Sequence, residues 1–238
     1  MDAEQLQLSY EIDQATQRLL DAARVIAEPD LRSPSLLPGW SRAHVIAHLA
    51  SGADAMRSLL GGVRSGLDRA ALDRAAYASA AARDAAIESG AARTTAELMT
   101  WLADSAVALR TVARRLPDDR WQVPVQMLDS VPFAADQLAA PFAADQLAAP
   151  FAAGELLVKR LVEVELHHCD LGIGYGPGQW PAAFGVMELA EPMRSQRAER
   201  LGYEQPAISA RAKSAARPAP PYRPGQPLPG SWIGRSRA

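Results

Sequence analysis

Apolar residues recur three and four positions apart over the first two-thirds of the chain, a spacing typical of helices rather than strands. Residues 4–27 form the first such segment, and Pro29 is expected to end it. A second helix is predicted over residues 42–60, because Ser41 is a favourable N-cap and two glycines close the segment. The chain is therefore expected to begin with two helices.

Two more helices are predicted before residue 117. Alanine-rich residues 67–88 form the third, while Thr94 and Glu97 have the T-x-x-E spacing of a capping box at the start of the fourth. Apolar side chains continue down one face of this fourth helix until Pro117 stops it. The first two-thirds of the chain is thus predicted to be helical.

Residues 132–153 interrupt this pattern with a repeat. The nonapeptide PFAADQLAA occurs at 132–140 and again at 141–149, followed by a partial third copy. So few copies of a nine-residue period match no solenoid, and loops tolerate insertions at low cost, so we interpret the segment as a duplicated loop. After it, helices are predicted from about residue 154 to Gly172 and over 181–200.

The end of the chain has the composition of an extended or disordered tail. Residues 205–238 contain no acidic residue, and six prolines lie between Pro218 and Pro229. Such a segment buries too little apolar surface to offset its ordering entropy. We therefore interpret residues 1–200 as one helical domain and residues 201–238 as a proline-rich basic tail.

Composition argues against several classes of partner. The formal net charge of −2 gives no electrostatic reason to expect nucleic acid or an anionic membrane. The sequence has neither the apolar run of a membrane span nor the basic region of a signal peptide. The single cysteine, Cys169, fits a reducing compartment, so a cytoplasmic location is expected.

All four histidines fall in two short clusters. His44 and His48 are four residues apart on the second helix, and Glu163 and His167 have the same spacing on a later helix. Each pair therefore lies on one side of its helix. The helix of residues 160–172 is otherwise apolar around most of its circumference, which is typical of a buried helix. Ionised groups on it need partners or a metal, because an unpaired buried charge is very costly.

His48, Glu163 and His167 are the predicted ligands of zinc or another divalent cation. Three protein ligands would leave a fourth position open, as in catalytic sites. His44 lies farther round its helix and is a candidate for a substrate or supporting contact. Each spacing taken alone also fits surface pairing or a satisfied core histidine, so that interpretation stays open.

Three segments resemble the mycothiol-dependent maleylpyruvate isomerase family, within the DinB-like metalloprotein superfamily. They are LLPGWSRAHVIAHLASGADAM (36–56), AARDAAIESGAART (81–94) and RLVEVELHHCDLGIGYGPGQWP (160–181). The resemblance implies a mainly α fold, a four-helix bundle with a divalent metal, usually zinc. It places the family's three metal ligands on His48, Glu163 and His167.

For true isomerases, the resemblance implies conversion of maleylpyruvate to fumarylpyruvate with the low-molecular-weight thiol mycothiol as cofactor. Addition of the thiolate to the cis double bond allows rotation, and elimination leaves the trans isomer. Arg160 and Arg42 are candidate catalytic clamps for the substrate's carboxylates, since guanidinium matches carboxylate geometry. An ordinary ion pair is an equal alternative for each of them.

The tail departs from the family pattern. Family members usually carry a small α/β domain after the bundle that helps to enclose the thiol, and residues 201–238 do not resemble it. That domain is therefore expected to be degenerate or missing. Two other functions stay open on these grounds: a non-catalytic, metal-binding relative without a thiol site, and a metal-dependent hydrolase that uses bound water.

Overall fold

The computed structural model describes residues 1–73, 75, 79–127 and 149–202, and it confirms a mainly helical fold. One short antiparallel pair, β1 and β2, accompanies the helices in the described residues, with Val125 opposite Phe151. The elements are α1 (Ala3–Ala23), α2 (Glu28–Leu31), α3 (Arg42–Arg64), α4 (Arg69–Asp73), α5 (Ala80–Ala91), α6 (Thr95–Ala113), β1 (Pro124–Val125), β2 (Phe151–Ala152), α7 (Glu155–Asp170), α8 (Ala182–Val186) and α9 (Met193–Leu201).

The four long helices α1, α3, α6 and α7 form a closed bundle. Helix α3 packs against α6 and α7, and α1 packs against the same two helices from the other side. The side chains between them are apolar and nearly inaccessible, and burying them supplies most of the stabilisation of such a bundle. Examples from the four helices are Leu19, Leu49, Leu102 and Leu161. Helix α5 lies outside this ring, against α3.

The predicted helix starts at Ser41 and Thr94 are confirmed. The Ser41 hydroxyl accepts from the backbone N–H of His44, and the Thr94 hydroxyl accepts from that of Glu97. The Glu97 carboxylate accepts in turn from the Thr94 N–H at 2.9 Å, which completes the capping box. These contacts satisfy amide groups that a helix start leaves without partners, so the sequence signals define where α3 and α6 begin.

Four predicted helix boundaries were wrong. Helix α3 continues through Gly61 and Gly62 to Arg64 instead of closing at residue 60. The first helix ends at Ala23, and Pro29 lies in the first turn of the short helix α2 instead of terminating α1. Residues 67–88 form two helices, because Ser79 caps a new helix by accepting from the N–H of Ala82. Residues 181–200 also form two helices, α8 and α9, since a proline at 192 disfavours helical geometry at the preceding residue.

Parts of the predicted loop and tail lie outside the described residues. Of the repeat segment 132–153, only residues 149–153 are described, and they include strand β2. The tail beyond residue 202, and with it the expected loss of a C-terminal domain, is likewise outside them. Within the described part of the chain, no helix is long and apolar enough to cross a membrane.

Helix α5 approaches α3 closely at Gly90, and this contact generates a stability prediction. A Cβ on Gly90 would lie 2.5 Å from the Trp101 ring and 2.9 Å from the Cβ of Ala47. Gly90→Ala is therefore expected to lower the free energy of unfolding by about 1–3 kcal/mol through overpacking.

Gly61→Ala is the matched control, because nothing lies within 4 Å of its Cβ position on α3. It is expected to raise stability by about 0.5–1 kcal/mol, since alanine favours the helix. Urea unfolding followed by circular dichroism measures both variants. If both substitutions changed the free energy of unfolding by the same amount and in the same direction, the close approach of α5 to α3 would be contradicted.

Candidate metal centre

The structure brings the two histidine clusters together at the α3–α7 interface. The rings of His48 and His167 have centroids 4.8 Å apart and are nearly perpendicular. Both side chains are buried, and the indole of Trp40 covers His48 at a centroid distance of 5.4 Å. Two segments more than a hundred residues apart therefore place a pair of imidazoles side by side inside the bundle.

The loop before α3 is fastened to the end of α7. The Leu36 N–H donates to the carbonyl of Asp170 at 2.8 Å, and Arg42 Nε donates to the carbonyl of Leu171 at 2.9 Å. Gly172, predicted to end α7, has φ +62°, which suits glycine, and Leu36 packs against it. These contacts fix the loop that carries Trp40 over the histidine pair. Arg42 thus has a structural role here.

His167 is oriented by a buried chain of ionic hydrogen bonds. Its Nδ1 lies 2.8 Å from Asp170 Oδ2, and Asp170 accepts from Nε and Nη2 of Arg200 at 3.2 and 2.9 Å. Burial tends to raise the pKa of Asp170, but the hydrogen bond from His167 and the charges of His167 and Arg200 outweigh it and lower that pKa. With Nδ1 committed to Asp170, a metal bond would have to be made by Nε2.

His48 differs from His167 in its hydrogen bonding. Its ring makes no hydrogen bond with the part of the chain that the structure describes, although the residue is only 6% exposed. Burial, followed by the charges of His167, Arg83 and Arg160, holds the pKa of His48 well below its usual value. His48 is therefore neutral at pH 7, which is the form that binds metals.

Glu163 lies at the margin of this pair. Its Oε2 is 3.8 Å from a guanidinium nitrogen of Arg160 and 3.6 Å from the position of a Cβ on Gly52, one turn beyond His48. Within the described residues, no three His, Cys, Asp or Glu side chains already form a cluster that could hold a metal. The structure thus brings two of the predicted ligands together and leaves the role of Glu163 as a prediction.

The two predicted catalytic residues already have protein partners. Arg160 is fully buried, and its Nη1 donates to the carbonyl of Leu49 at 2.8 Å. The same nitrogen lies 3.8 Å from Glu163, so the structure shows an ion pair for this side chain. His44 contacts the Ser41 hydroxyl through Nδ1 at 2.6 Å and Glu88 through Nε2 at 3.2 Å. Burial lowers the pKa of His44 despite the opposing effect of Glu88. Their substrate contacts stay predictions.

Arg83 was missed by the sequence analysis. It lies on α5, which packs against α3, and it is only 7% exposed. Its charge contributes to the low pKa of His48, so a second buried cation acts on the histidine pair. A single arginine on an alanine-rich helix gives no periodic signal, so the sequence predicted the helix but not the role of this side chain.

The opposite side of α7 carries a separate polar cluster. Glu165 accepts from Arg18 at 2.6 Å and from the Tyr175 hydroxyl at 2.5 Å. His168 stacks on the Tyr175 ring at 3.7 Å. Cys169 is buried, and burial raises its pKa to about 12, so its thiol is unreactive at neutral pH.

The fold and the site define a helical bundle with a buried histidine pair between two of its helices. The family model for the mycothiol maleylpyruvate isomerase N-terminal domain matches residues 12–140, more than half of the chain. The chain therefore belongs to that family. No curated protein matches it.

Two crystal structures show the same fold. The mycothiol-dependent maleylpyruvate isomerase aligns with a TM-score of 0.61 at 23% identity, and a point mutant of a mycothiol-dependent maleylpyruvate isomerase aligns with the same score at 22%. Each alignment covers 74% of this chain and 64% of the solved chain. This chain thus matches less than two-thirds of the length of those proteins.

The stacked histidine gives a prediction for pH dependence. Burial, with the charge of Arg18, lowers the pKa of His168 to about 3. In the unfolded chain it takes up a proton near pH 6.5, whereas in the folded chain it does so only near 3. The unfolded state therefore binds more protons between these values, and stability falls as the pH is lowered through this window.

His168→Phe keeps a ring against Tyr175 but removes the titrating group. In metal-free protein its free energy of unfolding is expected to fall less steeply between pH 6 and 4, by about 1 kcal/mol per pH unit. Denaturant unfolding at several pH values measures the slope. Identical slopes for the variant and the unsubstituted protein would contradict a neutral buried His168.

Proposed function

We propose that the protein is a metal-dependent, mycothiol-using isomerase that converts maleylpyruvate to fumarylpyruvate, with related thiol transfer as the broader class. The observation that carries the proposal is the buried pair of His48 and His167, whose ring centroids lie 4.8 Å apart. Two imidazoles side by side, one of them held neutral by burial, offer two nitrogen ligands to a divalent cation. Family membership supplies the class of cofactor and substrate.

The residues present fit a divalent cation held by His48, Glu163 and His167. Two imidazoles and one carboxylate are a donor set that suits zinc and similar metals. The hydrogen bond from His167 to Asp170 is the supporting contact that orients a metal-binding imidazole. Glu163 Oε2 lies 3.6 Å from the Cβ position of Gly52, so the carboxylate borders α3 one turn beyond His48. The donor set and its support agree.

A bound cation would lower the pKa of the mycothiol thiol, so that thiolate is present at neutral pH. In the proposed reaction the thiolate forms a C–S bond at one carbon of the cis double bond. The π electrons of that double bond move onto the conjugated carbonyl. Rotation about the resulting single bond and expulsion of the same thiolate restore the double bond as trans. No oxidant or reductant is consumed. The indole of Trp40 shields the histidine pair from water.

Arg83 is the side chain that we propose to position the substrate. Maleylpyruvate carries carboxylate groups, and a guanidinium binds such groups with charge-assisted hydrogen bonds. Arg83 lies on α5, which packs against α3, and its charge acts on His48. Its guanidinium also pairs with the neighbouring Asp84 at 3.1 Å, so a substrate carboxylate would share it with that residue. Arg160 is fully enclosed and bonded to Leu49, so it is better suited to holding Glu163 than to contacting substrate.

Metal content and turnover test the assignment together. His48→Ala and His167→Gln are expected to lose at least tenfold in zinc affinity and all mycothiol-dependent isomerisation of maleylpyruvate. His168→Gln is the matched control: it lies beside His167, but its ring stacks on Tyr175, so zinc content should be unchanged. Atomic absorption and an absorbance assay for fumarylpyruvate give the two readouts.

Each outcome of that test has a defined meaning. Full zinc occupancy in His48→Ala would contradict the metal site. Zinc binding in the unsubstituted protein without calorimetric binding of mycothiol would instead indicate a non-catalytic relative. Turnover that needs no thiol would indicate a hydrolase.

Arg83→Gln is expected to raise the KM for maleylpyruvate by about 10- to 100-fold, the loss of one hydrogen bond to a charged group. Arg83→Lys should recover part of it by keeping the charge. The control is Arg110→Gln. It removes an ion pair between Arg110 of α6 and Asp13 of α1, and it should leave the KM unchanged. Steady-state kinetics on zinc-loaded protein provide the measurement. An unaltered KM in Arg83→Gln would refute the positioning role.

A further inference from the structure

A groove of about 230 Å³ runs along α1, on the side of α7 that carries Glu165. Glu165 is two residues beyond Glu163, about 200° around the helix, so this groove lies away from the histidine pair. The groove walls extend along α1 from Gln7 to Arg18, a length of about 16 Å. It is a surface that the proposed reaction does not use.

The groove offers aromatic and prolyl surfaces flanked by amide groups. Tyr10, Phe184 and Pro181 form its apolar wall, and the Tyr10 side chain is 59% exposed. Gln14 adds an amide group along α1, and the Gln7 amide donates to Glu11 at the groove edge. Grooves of this composition recognise polyproline II segments, whose prolines pack on aromatic rings and whose carbonyls accept hydrogen bonds.

Charge selects among possible occupants. Arg18 is neutralised by its ion pair with Glu165, and Glu11, which accepts a hydrogen bond from Gln7, adds a negative charge to the groove wall. An anionic amphiphile such as a fatty acid is therefore disfavoured, whereas a cationic segment is attracted. The chain itself contains such a segment, because residues 205–238 include no Asp or Glu.

We propose that this groove binds the chain's own proline-rich segment, residues 217–229, in the polyproline II conformation. The segment, RPAPPYRPGQPLP, combines six prolines with Arg217 and Arg223. Five residues of polyproline II span about 15 Å, which matches the length of the groove.

The starting point of the tail favours this occupant. Helix α9 leads into the tail, and its Arg197 donates to the carbonyl of Phe184, a groove residue, at 2.7 Å. Arg217 follows Gly202 by 15 positions in the sequence, and even a compact connection of that length reaches about 20 Å. Such a tether gives an effective concentration in the millimolar range, so even weak contacts would keep the groove occupied.

Paramagnetic relaxation in the full chain tests the proposal. A spin label on Ser231→Cys follows the proline segment, and the buried Cys169 stays unlabelled because its pKa is about 12. Selective broadening of α1 amides from Gln7 to Arg18 is expected. Tyr10→Ala should reduce it at least fivefold. Val107→Ala, which trims an exposed valine of α6 outside the groove, should leave it unchanged.

Three outcomes would overturn the proposal. The first is broadening that is absent or uniform over the surface. The second is broadening that persists when prolines 220, 221 and 224 are replaced by alanine with the arginines kept, since charge alone would then suffice. The third is broadening only between spin-labelled and isotope-labelled copies mixed in one sample, which would assign the tail to another molecule. No readout involves activity or metal, so the result is independent of the proposed function.

Discussion

The structure depends on how α7 buries ionisable groups. Most of its circumference is covered by other parts of the chain, yet it carries two histidines, two arginine-paired carboxylates and a fully enclosed arginine. Each of these is costly to bury without a partner, so the partners determine how the helix is rotated in the bundle. Different parts of the chain supply them: Arg18 for Glu165, Leu49 for Arg160 and Arg200 for Asp170. His48 faces His167 within the same interface.

Helix type and helix starts could be predicted from local sequence, since they depend on nearby residues. The caps at Ser41 and Thr94 are examples, because a hydroxyl and an amide three residues later decide them. Boundaries failed where another local signal competed with the apolar pattern. Ser79 began a new helix inside an alanine-rich segment, and the proline at 192 separated α8 from α9.

The site, too, has features that local sequence predicts and features that only tertiary packing creates. Helical spacing separates the face of α7 that carries His167 from the face that carries Glu165, and the contacts of the two residues agree with it. It could not provide Arg200 or Arg83, because these partners come from other helices and tertiary packing alone brings them near. The substrate contact of Arg160 was suggested by guanidinium chemistry and stays a prediction, and the structure shows that side chain enclosed beside Leu49.

The central claim is that the buried histidine pair exists to hold a cation. X-ray absorption at the zinc edge of the zinc-loaded full chain tests it most directly. The account predicts two imidazole nitrogens at about 2.0–2.1 Å together with oxygen ligands, one of them a carboxylate, and no sulfur from protein. A first shell without imidazole, or one made of solvent oxygen alone, would contradict it.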